Sequence, residues 1–385
     1  MPMMSVNIDD HNRMVEKLWD DFEKRCNKRI PIVIVCDEQF QLPLYGTSYG
    51  KYYSDPLLMA KVQLETAKWW MNNIVHDGRM GLPKEHWTIH PQLWMVEKEF
   101  FGCQAVYQEN DYAWAKPISA PKEDLLAMLW DIDPVERLKE NKGYLFHKRM
   151  KQEFEGKEFQ GIPIKVGPPN GIAGTHGIFT TAAEVRGQYE LLIDMQKDPD
   201  FVKAFLEVIT EKIIGKIEAW NSLSGEEKKL PTADGWGMAD DSVNVLSPKL
   251  FEEFVLPFYK RIYSEMTTGI RGIHLCGHAE QLFEILHDEV GIMSFDGPGP
   301  WIDIGWMRDR FGTDVRVNAQ VYHHKLRDGT PQEIDNMVRS ILTVRAKRGG
   351  YMNLVGYPVR GTPPENLRTL YEMGLKYGQV PTNCG

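Results

Sequence analysis

The 385-residue chain has little of what would place it in several broad classes. No run approaches the roughly 18 consecutive apolar residues that a membrane helix requires, so no membrane span is expected. The opening residues, MPMMSVNIDDHNR, carry no apolar signal core, and a cytoplasmic protein is expected. The five cysteines (Cys26, Cys36, Cys103, Cys276, Cys384) are scattered and odd in number, which excludes a disulfide framework and suits a reduced compartment. Positive charge is in deficit, with 45 Lys+Arg against 54 Asp+Glu and a net charge of −9. That balance argues against a nucleic-acid or anionic-membrane partner. There is no low-complexity tract or solenoid-period repeat, and no HExxH, GxGxxG or Walker sequence. What is present is a hydrophobic fraction of 42%, enough for a sizeable core and too much for a disordered chain.

Short apolar runs alternate with longer amphipathic ones. The short runs are 31–36 (PIVIVC), 87–91 (WTIHP), 162–167 (IPIKVG), 230–236 (LPTADGW), 271–277 (RGIHLCG), 291–297 (GIMSFDG), 314–320 (DVRVNAQ) and 350–357 (GYMNLVGY). Such runs suit parallel strands, which are covered on both faces and need no alternation. Thr330-Pro331-Gln332-Glu333 and Thr362-Pro363-Pro364-Glu365 each read as a helix start, as does Ser247-Pro248. Gly349 and Gly350 are read as ending one helix and entering the last strand. Eight strand candidates alternating with helices predict one (β/α)₈ TIM barrel, with a doubly wound sheet as the rival. Residues 1–30 form an N-terminal helical segment, its face Val15, Leu18, Trp19 and Phe22 set across the barrel bottom. Residues 92–160 are a helical insertion between the second and third strands.

Barrel enzymes carry their chemistry at the carboxyl ends of the strands. Those ends offer Asp37 and Glu38, then Asp234, Asp240 and Asp241, then His274 and Cys276, then Asp296, Asn318, Gln320 and Tyr357. His274 and Cys276 are two apart, so on a strand both face one side and converge. Imidazole and thiolate are both zinc ligands. A buried structural His and Cys is the alternative for this pair. The glycine-rich loop 167–177 (GPPNGIAGTHG) lacks a phosphate-cradle pattern and is read as bringing backbone close to a ligand. His323-His324 is read as a surface pair.

These residues together resemble the uroporphyrinogen decarboxylase superfamily, from about Pro31 to Gly378. The likeness is carried by Gly177-Ile178-Phe179-Thr180, DPDFVKAFLEVITEKI, ADDSVNVLSPKLFEEFVLPFYKRI, the IHLCG strand and TPPENLRTLYEMGLKYG. It implies a distorted (β/α)₈ barrel. The true decarboxylases have an arginine-rich RQAGRY segment after the first strand that binds propionates. Here that segment reads Cys36-Asp37-Glu38-Gln39-Phe40-Gln41-Leu42-Pro43, with no arginine, and Asp37 and Glu38 are expected to repel a polycarboxylate porphyrin. The other branch comprises methyltransferases of corrinoid-dependent pathways. Its coenzyme-M members bind zinc through a His-x-Cys pair and a cysteine after the eighth strand. His274 and Cys276 match the pair, but Leu354-Val355-Gly356-Tyr357-Pro358 offers no third thiolate. A carboxylate from Asp37, Glu38, Asp240 or Asp241 is then the candidate third ligand, giving a harder site less suited to a thiol substrate. Methyltransferases acting on phenyl methyl ethers have a second zinc pattern, matched in spacing by Glu140, Glu155 and His176. The two sets compete.

The resemblance implies an enzyme that moves a methyl group from a small methylated donor, a methoxylated aromatic foremost, to cobalamin carried by a partner corrinoid protein. The chain has no Asp-x-His-x-x-Gly segment to hold cobalamin itself. His274, Asp241 and Tyr357 are the catalytic candidates, and Asp37, Glu38, Asp240, Asp296, Asn318 and Gln320 the substrate-binding ones. The alternatives are a metal-free lyase or decarboxylase working through Asp241 and His274, and a non-catalytic scaffold. Neither the exact donor nor the oligomeric state is legible.

Overall fold

The computed structural model describes residues 7–225 and 229–381; Cys384 lies outside them. Eight parallel strands alternate with helices: β1 (Ile32–Ile34), β2 (Trp87–Ile89), β3 (Ile162–Val166), β4 (Trp236–Ala239), β5 (Arg271–His274), β6 (Ile292–Asp296), β7 (Arg316–Gln320) and β8 (Met352–Gly356). This is the TIM-barrel arrangement that the strand count predicts. The ladder runs in two arcs, β1-β8-β7-β6-β5-β4 and β2-β3. Between β3 and β4 the chain is tied by Ala239 N–H donating to Thr175 O at 3.4 Å.

Seven strands fall inside their predicted runs. The fourth is displaced: Leu230 to Gly235 precede it, Thr232 pairs with Thr267 in an isolated bridge, and the strand is Trp236–Ala239. Asp234 therefore stands before the strand, at the end remote from the chemistry, whereas Asp240 and Asp241 follow it directly.

The N-terminal helix Ile8–Glu23 buries Val15, Leu18 and Phe22. Trp19 donates to Asp77 O at 2.8 Å, and Phe22 packs on Tyr351 just ahead of β8. Both contacts lie at the amino ends of strands, so the helix closes the barrel bottom. The Thr330 start is a full capping box with Glu333. At the other predicted start Thr362 instead accepts from Val359 N–H at 3.0 Å, and the helix Pro364–Tyr377 has no side-chain cap. Helix Pro331–Ile341 ends well ahead of Gly349 and Gly350, whose positive φ serves the turn into β8.

The insertion is helical as expected, with helices Pro134–Glu140 and Lys142–Phe154 among others, but also holds a hairpin, Gln104–Val106 with Trp114–Lys116, where the apolar pattern is too short to read. Its apolar side chains, among them Leu125, Leu129 and Leu138, join the same hydrophobic cluster as the barrel strands.

Asp77 holds the seam between β1 and the chain entering β2. Its side chain is fully buried and accepts from Arg29 at 2.5 and 2.8 Å, from Ile32 N–H at 2.7 Å and from Tyr371 O–H at 3.1 Å. Removing one partner of a buried ion pair strands the other. Asp77→Ala is expected to cost about 3–5 kcal/mol of stability, read as a lowered denaturant midpoint; a loss under about 1 kcal/mol would show that the seam does not depend on this carboxylate.

Candidate functional site

β5 delivers two side chains to its carboxyl end. His274 closes the strand, and Cys276 follows on the same side, half a loop further out and exposed. Asp241, two residues beyond β4, turns back across the gap because its Oδ1 accepts from Cys276 N–H at 2.7 Å. The ligand atoms of Asp241, His274 and Cys276 all lie within 4.8 Å of one another. Of the four carboxylates that could have completed the His-x-Cys pair, the fold brings Asp241 to it.

Asp296, at the end of β6, is paired in register with His274 and accepts from its ring at Nδ1, 2.6 Å. That bond fixes the ring and turns Nε2 toward Asp241, 3.9 Å away. Burial opposes the imidazolium, but the hydrogen bond to Asp296 and the proximity of Cys276 and Asp241 more than offset it, and the His274 pKa is pushed up to about 10. The cluster thus gathers two carboxylates and a thiol around an imidazole that favours its protonated form. One carboxylate oxygen, one imidazole nitrogen and one thiolate, with a second carboxylate orienting the imidazole, are donors that fit zinc.

The other sequence candidates separate by location. Asp240 is fully buried and accepts from Phe179 N–H, Thr180 N–H, Thr180 O–H and Tyr259 O–H at 2.7–3.0 Å. It caps helix Ile178–Arg186, so its assignment to substrate is corrected: all its acceptor capacity is spent on the fold. Asp37 caps helix Glu38–Tyr45. Glu38 is also buried, accepts from Trp94 Nε1–H and leaves its second oxygen unpartnered. Neither lines the cavity described below, although Asp37 is near enough to act on Tyr357 electrostatically alongside Asp296. Asn318 takes its place beside Asp296 in the register, Gln320 one strand step above, and neither lines that cavity. Tyr357 is pushed up to about 12 by burial and by Asp296 and Asp37, so it remains a phenol and a proton donor.

The alternative zinc set does not converge. Glu155 accepts from Val166 N–H at 2.7 Å, Glu140 borders a shallow outer recess with Asp131 and Arg137, and His176 faces the barrel mouth. Spacing along the chain cannot reveal that the two glutamates lie on an outer helix and at a helix end. His323 and His324 begin a short helix, His323–Asp328, rather than lying in a loop.

A cavity of about 490 Å³ opens at the carboxyl ends of β4, β5 and β6. Alternate strand residues floor it: Ala239, His274 and Asp296 in one layer, Gly237, Gly272 and Ser294 one step below. The glycine-rich loop and Trp94 form the opposite wall, with His176 and Trp94 rings 6.0 Å apart. No Lys or Arg is among the lining residues.

Sequence reading missed what holds that loop. Lys216 and Glu97 are a fully buried ion pair at 2.5 Å. Lys216 also donates to the carbonyls of Gly171 and Gly174, and Glu97 accepts from His176 at both its backbone N–H (2.8 Å) and Nδ1 (2.7 Å). Burial alone would raise the Glu97 pKa; Lys216, His176 and Lys98 hold it well below the carboxylate range.

A family model of uroporphyrinogen decarboxylase (URO-D) matches residues 170–377, more than half of the chain. The chain belongs to the uroporphyrinogen decarboxylase family. It is similar, at 26% identity over 207 residues, to the methylated-thiol–coenzyme M methyltransferase of Methanosarcina mazei, a match covering 53% of this chain and 52% of that protein. It is similar, at 26% over 185 residues, to the uroporphyrinogen decarboxylase of Carboxydothermus hydrogenoformans, covering 42% of this chain and 51% of that protein. The chain thus spans about half the length of the curated relatives it matches. A solved methyltransferase from Methanosarcina mazei shares the fold with a TM-score of 0.58 at 16% identity, over 94% of this chain and 98% of that one. Among the described residues no helix is long and apolar enough to cross a membrane.

Two outcomes follow for the groups around the cavity. Lys216→Met leaves Glu97 buried without its main counter-charge and is expected to cost about 3–5 kcal/mol, read by urea denaturation; an unchanged midpoint would mean that the loop does not rely on the pair. Burial, with Asp37 adding to it, pushes Glu38 up to about 7, above the 4.5 of an exposed glutamate. The carboxyl is therefore held neutral in the fold, and wild-type stability falls as pH rises from about 4.5 through about 7. Glu38→Gln removes that loss, so the variant should gain about 1–3 kcal/mol relative to wild type between pH 5 and pH 8. A pH-independent difference between the two would refute the raised pKa.

Proposed function

We propose that this protein is a methyltransferase that passes a methyl group from a small methylated donor, a methoxylated aromatic foremost, to a corrinoid held by a partner protein. The convergence of Asp241, His274 and Cys276 beside a cavity lined by no Lys or Arg is the observation that carries this reading. Family membership supports it, as does the similarity to a relative named as a methyltransferase. A porphyrin with several carboxylates finds no Lys or Arg in the cavity and would compete with Asp241 and Asp296 for His274, which disfavours porphyrin decarboxylation.

Asp241, His274 and Cys276 are the residues that would hold zinc, which when bound supplies a Lewis acid for the donor's ether oxygen. The protein's own groups do the rest. Asp296 keeps His274 in one orientation. Tyr357, kept protonated and within electrostatic reach of Asp296 although outside the cavity lining, is the candidate donor toward the oxygen that gains negative charge as its methyl group departs. Trp94 and His176, their rings tilted 54° to each other, supply aromatic surface against which a ring can pack. The methyl group points to the open mouth, the side from which a partner protein approaches. A carboxylate in place of a third thiolate makes the site harder and suits an oxygen-bound donor over a thiol.

A second reading has one observation in its favour. The coupling to Asp296 and Asp241 keeps His274 protonated without metal, which suits a general acid in a metal-free lyase.

The test is metal analysis joined to a corrinoid assay. The purified protein should contain about one zinc, lost in His274→Ala and Cys276→Ala, with Asp296→Asn retaining it about 10–100-fold less tightly. Guaiacol should change the spectrum of a reduced corrinoid protein, and this change should vanish in Cys276→Ala. Activity that survives chelation would favour the lyase. No methyl transfer from any ether, amine or thiol donor would sink the proposal.

A further inference from the structure

The cavity does not stop at the level of His274. Its floor lies one strand step deeper, at Gly237 on β4, Gly272 on β5 and Ser294 on β6. Register sets these three side by side, so two glycines and one small hydroxyl occupy a layer where a packed barrel places bulky side chains. Glycine weakens a strand interior, so each one there calls for a reason. Gly237 has a packing reason: a Cβ would stand 2.8 Å from the carbonyl oxygen of Gly272. Gly272 has none. Its φ is outside the left-handed region, and a Cβ built on it meets nothing nearer than the Ser294 Cβ at 3.5 Å, an ordinary contact. The ladder shifts register between Arg271 and Gly272, yet the Cβ position remains open. What a side chain at 272 would take away is cavity space.

We infer that the space over Gly272 is a substrate subsite, which receives the body of an uncharged, ring-sized methyl donor and makes Gly272 the residue that sets donor size. The inference rests on the methyl-transfer reading and adds to it the depth and class of the donor. The reacting methyl group must face the mouth, so the rest of the donor extends down the bore toward this floor. A cavity of about 490 Å³ falls in the range that encloses a substituted ring, and a one-carbon donor would leave most of it to water. Asp241 and Asp296 already engage His274 above the floor and no Lys or Arg lines the walls, so a carboxylate on the donor body is unfavourable.

Gly272→Ala and Gly272→Val decide the matter, each with metal content and thermal midpoint measured alongside. Calorimetry with guaiacol should show binding weakened about tenfold or more in Gly272→Val and less in Gly272→Ala, at unchanged metal content. In the corrinoid assay, the ratio of kcat/KM for guaiacol to that for methanol should fall by about tenfold or more in Gly272→Val. Guaiacol binding equal to wild type in Gly272→Val, an equal loss for both donors, or no binding of guaiacol to wild type would each overturn the subsite. Methyl transfer that ignores Gly272→Val sinks the subsite and leaves the methyltransferase reading standing. Guaiacol binding that depends on Gly272, with no methyl transfer to any corrinoid protein, does the reverse.

Discussion

The buried pair between Lys216 and Glu97 is the interaction on which the cavity depends. Taking two full charges out of water costs several kcal/mol per ion unless geometry and further hydrogen bonds offset it. Here they do: Lys216 is shared between one carboxylate and two loop carbonyls, and Glu97 also holds both nitrogens that His176 offers. The pair joins three parts of the chain. Lys216 comes from the long helix Pro199–Ser224, Glu97 from the insertion helix Val96–Phe100, and the carbonyls from the glycine-rich loop. The insertion is therefore part of the site wall, and Trp94, two residues before that helix, stands on the cavity because the helix is pinned. Gly177 closes the same loop against β4, since with a φ of 94° a Cβ there would strike Ala239 O and Asp240. Asp240 in turn caps the next helix, so loop, strand end and helix start are one rigid unit.

The barrel was legible because parallel strands covered on both faces appear as plain apolar runs, and seven of eight stand where those runs lie. The fourth misled for a physical reason. Leu230 and Pro231 look like the start of a strand, but the chain there follows Thr267 and Gly269, and the true strand, Trp236–Ala239, is thin in apolar residues because Gly237 leaves its neighbour's carbonyl room. Two of the three members of the metal-type cluster were equally legible, since the spacing of His274 and Cys276 puts both on one side of the strand end. Asp241 was one of four equivalent carboxylates in the sequence. Its choice depends on a hydrogen bond to Cys276 N–H across two strands, while Asp240, one residue away, points inward and is used up by the fold. Glu97 and Lys216 carried no signal, because a pair separated by more than a hundred residues leaves no spacing to read.

Charge placement also changes what the acidic composition means for function. Asp37 and Glu38 looked like a repulsive rim, yet the first is a helix cap and the second is buried with a raised pKa. Their carboxylates act on stability. The acids that face the cavity mouth are Asp241 and Asp296, and both are engaged with His274. A negative charge entering the cavity would compete with them for the same imidazole, whereas a neutral donor leaves that arrangement intact.

The same fold carries relatives named as a methyltransferase and as a decarboxylase, so architecture alone does not choose the chemistry. The choice lies in the two inward layers of β4, β5 and β6. The upper layer holds His274 and Asp296, with Asp241 and Cys276 leaning in from the loops to bring their ligand atoms within 4.8 Å of the imidazole. The lower layer, two glycines and a serine, is built around nothing of the protein's own. A pocket meant only to carry a metal gains nothing from hollowing the strand layer beneath it, since bulky side chains there would stabilise the barrel. On the proposed methyl transfer the two layers form one device: the upper would polarise an atom of the ligand, and the lower would take the part of the ligand that lies beneath that atom.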